Sequence, residues 1–305
     1  MSISVVIPAY NASRFIAETL KSVLTQTLQP DEVLVIDDGS TDDTAAIAEG
    51  FAPRVRVFRR SNQRQAAARN FGVEQAASEW IAFIDADDIW EPNKLERQME
   101  ELARHPEADL CYTAYRMLIR VGDTTCFGRA SKVPAAKNIR RSLFKDVTFI
   151  PSSVLIRRST MLAENGFNPR MRYGNEDYDM WLRLLHSGVK FAACREPLFQ
   201  YRRHDGNTST NMGWLDECME IYRRLALPYL PRFTGWITYF KFLSEHEGGA
   251  AYTLRQQGNP AHLAMMARSV LHWPFNDSHR YKVLIHMLYA RLRKTFQQAS
   301  IGSAR

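Results

Sequence analysis

Acidic residues follow two predicted strands of this 305-residue chain, in spacings that suit metal or proton chemistry. Asp37 and Asp38 follow one apolar run, and Asp85, Asp87 and Asp88 follow another. Carboxylates that are clustered this closely repel one another unless a cation or a basic group compensates. A hard divalent cation with oxygen ligands is the natural solution, although acids at such positions also cap turns and helices. The spacing therefore predicts a metal site and leaves the capping interpretation open.

The strands that would position these acids belong to an alternating strand–helix pattern. Short apolar runs rich in β-branched residues predict strands at residues 3–8, 32–36, 55–58, 80–84 and 109–118. Residues 119–148 have neither a helical nor a strand pattern, which predicts a loop region. The repeated strand–helix–strand units indicate an α/β fold with a doubly wound, mostly parallel, Rossmann-like sheet. Ligands bind beyond the carboxyl ends of such strands, so the polar strand ends at residues 8–11, 37–40 and 85–88 are expected to face one crevice.

A second acidic pair, Glu176 and Asp177, lies between the turn residues Gly174 and Asn175 and an apolar helical segment. Taken by itself, this pattern favours acids in the first turn of a helix, where they complement the helix macrodipole. A carboxylate that faces a crevice is also a candidate general base. The local pattern leaves both interpretations open.

Composition narrows the function classes. Hydrophobic residues make up 45% of the chain and charged residues 24%, which excludes a disordered protein. The four cysteines are isolated and form no CxxC pair, so a disulfide framework or zinc cluster is not expected. No signal-peptide pattern and no bilayer-spanning apolar stretch occurs. We therefore expect a cytoplasmic protein, with a peripheral position on the inner face of the cell membrane left open.

Six motifs occur in a fixed order along the first two thirds of the chain. They are residues 5–11 (VVIPAYN), 35–42 (VIDDGSTD), 68–72 (ARNFG), 83–88 (FIDADD), 174–184 (GNEDYDMWLRL) and 201–204 (YRRH). As a set they resemble the inverting family 2 glycosyltransferases of GT-A fold. The resemblance implies a catalytic GT-A domain over residues 1–214. Such a domain transfers a sugar from a nucleotide-diphosphate donor, with a UDP-sugar favoured, to a hydroxyl of a glycan or lipid-linked acceptor, and bacterial surface polysaccharide assembly is the expected setting.

The resemblance also implies roles for individual residues. The implied donor-binding residues are Pro8, Ala9, Tyr10, Asn11, Asp38, Asn62, Arg69, Asp85 and Asp87. The implied ligands of a Mn²⁺ or Mg²⁺ ion are Asp87, Asp88 and His204. Asp177 is the expected general base, and Glu176 would orient the acceptor or the base. Which of the two acids removes the proton stays open at this level.

Two other function classes share part of the pattern. A nucleotidyltransferase, or another nucleotide-diphosphate enzyme on a similar sheet, also uses paired carboxylates. It commonly needs a glycine-rich phosphate loop after the first strand, and residues 8–11 are Pro-Ala-Tyr-Asn instead. A nucleic-acid-binding protein is suggested only by the net charge of +7, and it would need a basic stripe on the folded domain.

The positive charge lies in the C-terminal part of the chain. Residues 223–305 carry twelve Lys and Arg and three acids, a net +9, which leaves the rest of the chain at −2. The motif-bearing part is therefore not basic, and no nucleic-acid partner is expected. Strand patterns vanish in residues 215–305, where helical spacing predicts a basic helical extension. Leu284, Leu288 and Leu292 form an apolar stripe beside basic residues, a pattern typical of an interfacial helix on an anionic membrane. The same stripe suits a helical subdomain or an oligomer contact, and the sequence leaves these alternatives open.

Overall fold

The computed structural model describes residues 1–121, 124–145, 149–204, 213–230, 232–256, 258–274 and 284–285. The chain divides into two compact units, Met1–Thr208 and Ser209–Arg305. This division falls a few residues before the boundary that the sequence analysis places after residue 214. The motifs that resemble glycosyltransferases all lie in the first unit.

The first part of the chain forms parallel strands from its buried apolar runs. The strands are β1 (Ile3–Ala9), β2 (Glu32–Asp37), β3 (Arg56–Arg59) and β4 (Trp80–Phe83). The intervening helices are α1 (Ile16–Leu24), α2 (Thr44–Glu49) and α3 (Arg64–Gln75). β1 lies between β2 and β4, β3 borders β2, and all three pairs are parallel. The carboxyl ends of β1, β2 and β4 therefore lie at one edge of the sheet, as predicted.

The second part of the chain extends the same sheet with strands of mixed direction. These strands are β5 (Ile89–Trp90), β6 (Leu110–Val121), β7 (Thr124–Ala130), β8 (Leu155–Arg157) and β9 (Phe191–Arg203). The order is β3–β2–β1–β4–β8–β6–β9–β5, and β7 pairs with β6. β8 is antiparallel to β4 and β6, whereas β9 is parallel to β6. The predicted α/β sheet is confirmed, with antiparallel strands added in its second half.

The prediction of a loop over residues 119–148 is wrong for the part of it that the structure describes. β6 continues to Val121 and pairs antiparallel with β7, while Ile139–Leu143 form the short helix α5. The residues of β7, Thr-Thr-Cys-Phe-Gly-Arg-Ala, alternate poorly between apolar and polar, so no strand pattern is visible in them. Backbone pairing with β6 forms this strand, and sequence periodicity does not report such pairing.

Three further helices complete the first unit. They are α4 (Lys94–Arg104), α6 (Arg158–Ala163) and α7 (Glu176–His186). Helix α7 is buried on several faces and is fixed by two buried donors. The Trp181 indole N–H donates to the Phe149 carbonyl (3.0 Å), and the Tyr178 hydroxyl donates to the Leu143 carbonyl (2.9 Å). These contacts hold the first turn of α7 in a fixed position.

The second unit is helical over its described residues, as the sequence predicts. Its helices are α8 (Gly213–Ile221), α9 (Arg232–Gln256) and α10 (His262–His272). Ser244 of α9 and Ser269 of α10 each donate a hydroxyl proton to the other's backbone carbonyl, at 2.6 and 2.7 Å. None of the helices formed by the described residues combines the length and apolar character that crossing a bilayer requires. Of the predicted apolar stripe, Leu284 packs against the cluster of Ala251, Leu263 and Met266 within this unit. Leu288 and Leu292 lie outside the described residues.

Candidate active site

The ends of β1 and β2 and the loop after β4 open into one cleft of about 610 Å³. The predicted site residues that line it are Pro8, Ala9, Tyr10, Asn11, Asp38, Asn62, Asp85, Asp87, Glu176 and His204. Arg69, Asp88 and Asp177 are not among the lining residues and are buried. The structure therefore brings together strand ends that are separated by up to 80 residues of sequence, with Glu176 and His204 beside them.

Two residues with positive φ shape the wall formed by β1 and β2. Asn11 has φ of 49°, a conformation that Asn adopts more readily than most residues. Its side-chain oxygen accepts a hydrogen bond from the Thr41 N–H (2.8 Å), which joins the two strand ends. Gly39 has φ of 81°, and a Cβ there would lie 3.0 Å from the Asn62 backbone nitrogen. Glycine thus allows the loop before α3 to approach the end of β2.

Asp38 anchors that approaching loop and also lines the cleft. Its carboxylate accepts the Gln63 backbone N–H, at 3.0 and 3.2 Å to its two oxygens. Burial raises the pKa of Asp38, and the hydrogen bonds from the Gln63 and Arg64 backbone oppose the rise. The carboxylate is a fixed acceptor in the lining of the cleft, which also includes Tyr10 and Asn62.

The loop after β4 is held in place by side chains of α1 and of the segment before β8. The Thr19 hydroxyl hydrogen-bonds to the Ala86 and Asp88 carbonyls, at 2.9 and 2.8 Å. The Asp85 N–H donates to the Ser152 hydroxyl (3.0 Å). These contacts fix three carboxylates, of which Asp85 and Asp87 line the cleft and Asp88 lies behind it.

Asp87 and His204 meet at the wall of the cleft. Oδ2 of Asp87 lies 2.8 Å from Nε2 of His204, and the imidazole stacks on the Phe15 ring with a centroid distance of 4.8 Å. Arg202 supports the same corner, because its Nε donates to the Asp87 carbonyl (2.8 Å) and its backbone N–H donates to Asp88 (3.1 Å). Carboxylate and imidazole are suitable ligands for a divalent cation such as manganese.

Asp88 is more deeply buried than its two neighbours. Its Oδ1 accepts the Arg202 N–H, and its buried Oδ2 has no hydrogen bond of ordinary geometry to any residue that the structure describes. The neighbouring Ser152 hydroxyl favours the charged form of the carboxyl group. Burial raises the pKa of Asp88 well above its ordinary value, and the Asp87 and Asp85 carboxylates add to the rise. Within the described ranges, no three His, Cys, Asp or Glu side chains converge on one point as metal ligands. The donor set that faces the cleft is therefore Asp87 with His204, and Asp88 stands behind it.

The second acidic pair occupies the first turn of α7. Glu176 is 2% exposed and lines the cleft, whereas Asp177 is 7% exposed. Burial raises the pKa of Asp177 to about 8, the Glu176 carboxylate adds to the rise, and the Arg69 guanidinium opposes it. A carboxyl group with a pKa near neutrality is suited to proton transfer. The first turn also contains Asp179, so the helix-dipole interpretation describes part of this pattern as well.

Arg69 connects the two acidic regions from behind the cleft wall. Its guanidinium is 1% exposed and donates to Glu176 (2.5 Å) and to Asp85 (2.6 Å). Burial lowers the pKa of this group, but the Asp85 and Glu176 carboxylates outweigh burial and raise the pKa above its ordinary value. The resemblance assigns Arg69 to the nucleotide, and the structure places its guanidinium between two protein carboxylates.

Several residues of the site are not visible as functional in the sequence. Phe15 follows the helical spacing of α1, which predicts a core position, yet its ring supports His204. Arg64, Met171 and Arg172 line the cleft without belonging to any of the six motifs. Arg64 has φ of 72°, which is unusual for a residue with a side chain, but backbone angles cannot be read from sequence.

Comparison with known protein families decides the class of this site. Residues 4–162, more than half of the chain, match the model of glycosyl transferase family 2. The chain belongs to this family. The family 2 chain is therefore a glycosyltransferase, and the predicted enzyme class is confirmed.

Relatives of this family 2 glycosyltransferase include proteins of bacterial polysaccharide assembly. It is 31% identical to the putative teichuronic acid biosynthesis glycosyltransferase TuaG of Bacillus subtilis, over 68% of this chain and 82% of that protein. It is 28% identical to the amylovoran biosynthesis glycosyltransferase AmsB of Erwinia amylovora, over 71% and 77%. The structure of S. aureus TarS in complex with UDP-GlcNAc superposes with a TM-score of 0.64 at 19% identity, over 89% of this chain and 81% of that one. The GT-A fold prediction is confirmed.

Proposed function

We propose that this enzyme is an inverting, metal-dependent glycosyltransferase that transfers a sugar from a nucleotide-diphosphate donor, preferably a UDP-sugar, to a hydroxyl of a glycan or lipid-linked acceptor. The observation that supports this most directly is the single cleft lined by Asp38, Asp85, Asp87, Glu176 and His204. Such a cleft offers hydrogen-bond acceptors for a nucleoside at one wall, cation ligands in the loop after β4, and acidic side chains at the first turn of α7.

The relatives support the class of donor and acceptor. TarS was crystallised with UDP-GlcNAc and with UDP, and TuaG and AmsB are named for the assembly of polysaccharides. We assign this chain to bacterial surface polysaccharide assembly by the same reasoning. Asp38, a fixed acceptor beside Tyr10 and Asn62, suits the ring N–H of uracil, which supports a uridine donor.

Asp87 and His204 are the residues that would hold Mn²⁺ or Mg²⁺. They already lie 2.8 Å apart, and the Asp88 carboxyl group behind them, whose Oδ2 has no hydrogen bond of ordinary geometry among the described residues, supports a cation in this corner. Two protein ligands fit a cation that completes its shell with phosphate oxygens and water. When bound, the ion supplies positive charge to the leaving diphosphate.

Asp177 is the proposed general base for the acceptor. The acceptor oxygen attacks the sugar carbon while the bond from that carbon to the diphosphate breaks, and the acceptor proton passes to the Asp177 carboxylate. Attack opposite the leaving group inverts the configuration at that carbon. Burial beside Glu176 gives Asp177 the raised pKa that this role requires.

A nucleotidyltransferase on a similar sheet is the alternative function. It would need backbone N–H groups of a glycine-rich loop to hold the phosphates. The first strand ends in Pro8, which has no N–H, and Ala9, and Tyr10 follows the strand. This observation favours the glycosyltransferase.

The proposed function predicts that the purified protein binds and slowly hydrolyses a nucleotide-sugar in the presence of Mn²⁺. A panel of radiolabelled UDP-, GDP-, dTDP- and CMP-sugars, scored for released sugar and nucleotide, measures this directly. Proton NMR of the transferred product tests the stereochemistry, because the anomeric configuration is expected to be opposite to that of the donor. Absence of binding to every donor in the panel would contradict the proposal. Consumption of added pyrophosphate, with formation of a nucleoside triphosphate and a sugar 1-phosphate from the donor, would favour the nucleotidyltransferase.

We further propose that the basic helical unit holds the enzyme against an anionic membrane at the cytoplasmic face. Residues 223–305 carry a net +9, and Trp236 (56% exposed) and Phe240 (37% exposed) lie on the solvent face of α9. Exposed aromatic and basic residues together favour an interfacial position.

This proposal predicts that the full chain floats with vesicles that contain phosphatidylglycerol and not with pure phosphatidylcholine vesicles. Added salt is expected to weaken the binding, because it screens surface charge. A chain without residues 278–305 loses six of the twelve basic residues of this segment and keeps Trp236 and Phe240. It is expected to stay in the soluble fraction, because aromatic contacts alone do not supply the attraction to anionic lipids. Loss of an oligomer in that truncated chain, with vesicle binding unchanged, would assign the extension to subunit contact instead.

A further inference from the structure

Arg69 occupies an unusual position for a residue near a nucleotide cleft. Its guanidinium is 1% exposed, and its two terminal nitrogens donate to carboxylates on two different elements. Asp85 belongs to the loop after β4, and Glu176 is the first residue of α7. The two acceptors are separated by 16 and 107 residues from Arg69, so the fork joins distant segments of the chain.

Both carboxylates that Arg69 binds belong to residues that line the cleft. Asp85 and Glu176 are lining residues, and Arg69 is not. The Arg69 side chain is 1% exposed, compared with 27% for Asp85 and 3% for Glu176, so the guanidinium is the most deeply buried of the three groups. The Phe167 ring, 5.4 Å from the guanidinium carbon, covers the group further. Both terminal nitrogens of the guanidinium are thus paired with protein carboxylates, while its buried Nε makes no hydrogen bond to a described residue.

We propose that Arg69 is a positioning residue that sets the distance between the donor wall and the first turn of α7, and so aligns the base with the sugar carbon. This inference rests on the proposed glycosyltransferase function. Arginine suits the role because its planar fork fixes the direction of each hydrogen bond, which a lysine ammonium does not. Misplacement of a reacting group by about 1 Å can cost about 10²-fold in rate.

The same guanidinium also acts on Asp177 through its charge. The charged groups that act on Asp177 are Glu176 on α7, Arg69 on α3 and Asp85 after β4. Arg69 is the cation among them and lowers the pKa of Asp177, while burial and the two carboxylates raise it. Removal of the Arg69 cation is therefore expected to raise the pKa of Asp177, in addition to any displacement of the Asp177 carboxyl group.

The test compares Arg69→Lys with Arg157→Lys. Arg157 also donates to two carboxylates, Glu79 and Asp109, but it pairs with Trp80 at the start of β4, away from the end that leads to Asp85. We expect Arg69→Lys to lower kcat for nucleoside-diphosphate release by about 10²-fold with the Kd for UDP within about threefold. Arg157→Lys is expected to leave kcat unchanged.

A second variant separates alignment from charge. Arg69→Met removes the cation, so the acid limb of its kcat–pH profile is expected to move by about 1 unit or more to higher pH. Arg69→Lys retains the cation, so its limb is expected to stay in place. The limb of Arg69→Met therefore reports the charge of Arg69, and the kcat of Arg69→Lys, which keeps that charge, reports alignment. If Arg69→Met does not fold, the kcat and Kd of Arg69→Lys decide by themselves.

Two results would overturn the inference. One is a folded Arg69→Lys enzyme with wild-type kcat. The other is weaker UDP binding with unchanged kcat at saturating donor, which would assign Arg69 to the nucleotide. The wild-type enzyme in the same assay reports separately on the proposed function. Donor turnover by the wild type together with full kcat in Arg69→Lys rejects the positioning role alone, whereas a wild type that binds no nucleotide-sugar rejects the function itself.

Discussion

Asp177→Asn is expected to abolish sugar transfer and to leave donor binding intact. The amide cannot accept the acceptor proton, and a positioned general base typically contributes about 10²–10⁴-fold in rate. The asparagine oxygen can still accept the Tyr178 N–H, which donates to Asp177 at 2.6 Å. The measurement is the rate of nucleoside-diphosphate release, expected to fall by about 10²–10⁴-fold, beside the Kd for UDP, expected within about threefold.

The stability of Asp177→Asn distinguishes lost chemistry from lost fold. In the folded protein the Asp177 carboxyl stays protonated up to about pH 8, whereas its ordinary pKa is 3.8. Between these values the unfolded chain releases the proton first, so the wild type loses stability as the pH rises. The asparagine variant lacks this loss. Its Tm at pH 8 is therefore expected to equal or exceed that of the wild type.

The dependence of the wild-type transfer rate on pH is a second test of Asp177. The base acts only when ionised, so the rate is expected to rise about tenfold per pH unit below a midpoint near 8. Glu176→Gln is the matched variant, because Glu176 is the neighbouring acid and also lines the cleft. Transfer that survives in Asp177→Asn and vanishes in Glu176→Gln, with both proteins folded, would make Glu176 the base.

Asp87→Ala is expected to lower nucleoside-diphosphate release by about 10³-fold, a loss of about 4 kcal/mol of transition-state stabilisation. The variant retains only His204 of the two proposed protein ligands that face the cleft. Excess chelator is expected to bring the wild type to the level of the variant. Added Mn²⁺ should then restore the wild type and not Asp87→Ala.

Asp43→Ala is the control for the loss of a carboxylate near a strand end. Asp43 is exposed and makes no side-chain hydrogen bond to cap α2, so its removal is expected to leave turnover unchanged. Full activity of Asp87→Ala would remove this residue from the metal site. Unchanged wild-type turnover in excess chelator would remove the metal from the mechanism altogether.

The elements that carry the site were predictable because their signals are local. The run Ile3–Ala9 is buried along its whole length, and the polar residues that follow a buried strand must lie at the end of that strand. Parallel connections then place several such ends at one edge, so the acids after β2 and β4 could be expected in one cleft before the structure was known. The positive net charge of the helical extension can likewise be counted directly from the sequence.

The strand β7 and the surroundings of Arg69 were beyond the reach of the sequence. The pairing of β7 depends on its partner β6, not on its own weak alternation. The motif residues 68–72 point to a functional arginine, but its acceptors lie 16 and 107 residues away in the sequence. Only the tertiary structure brings Asp85 and Glu176 within hydrogen-bond distance of Arg69. Contacts over such separations depend on the fold as a whole, and no local pattern encodes them.

The sequence by itself determined the α/β architecture, the family and the residue types available for chemistry. The tertiary structure alone decided which acids face the cleft, which pair with Arg69 and which are buried. Asp87 and Asp88 are adjacent in sequence, yet the first contacts His204 at the cleft wall and the second lies behind it. The physical reason is that solvation and neighbouring charge set the behaviour of a carboxylate, and both are properties of its position in the fold.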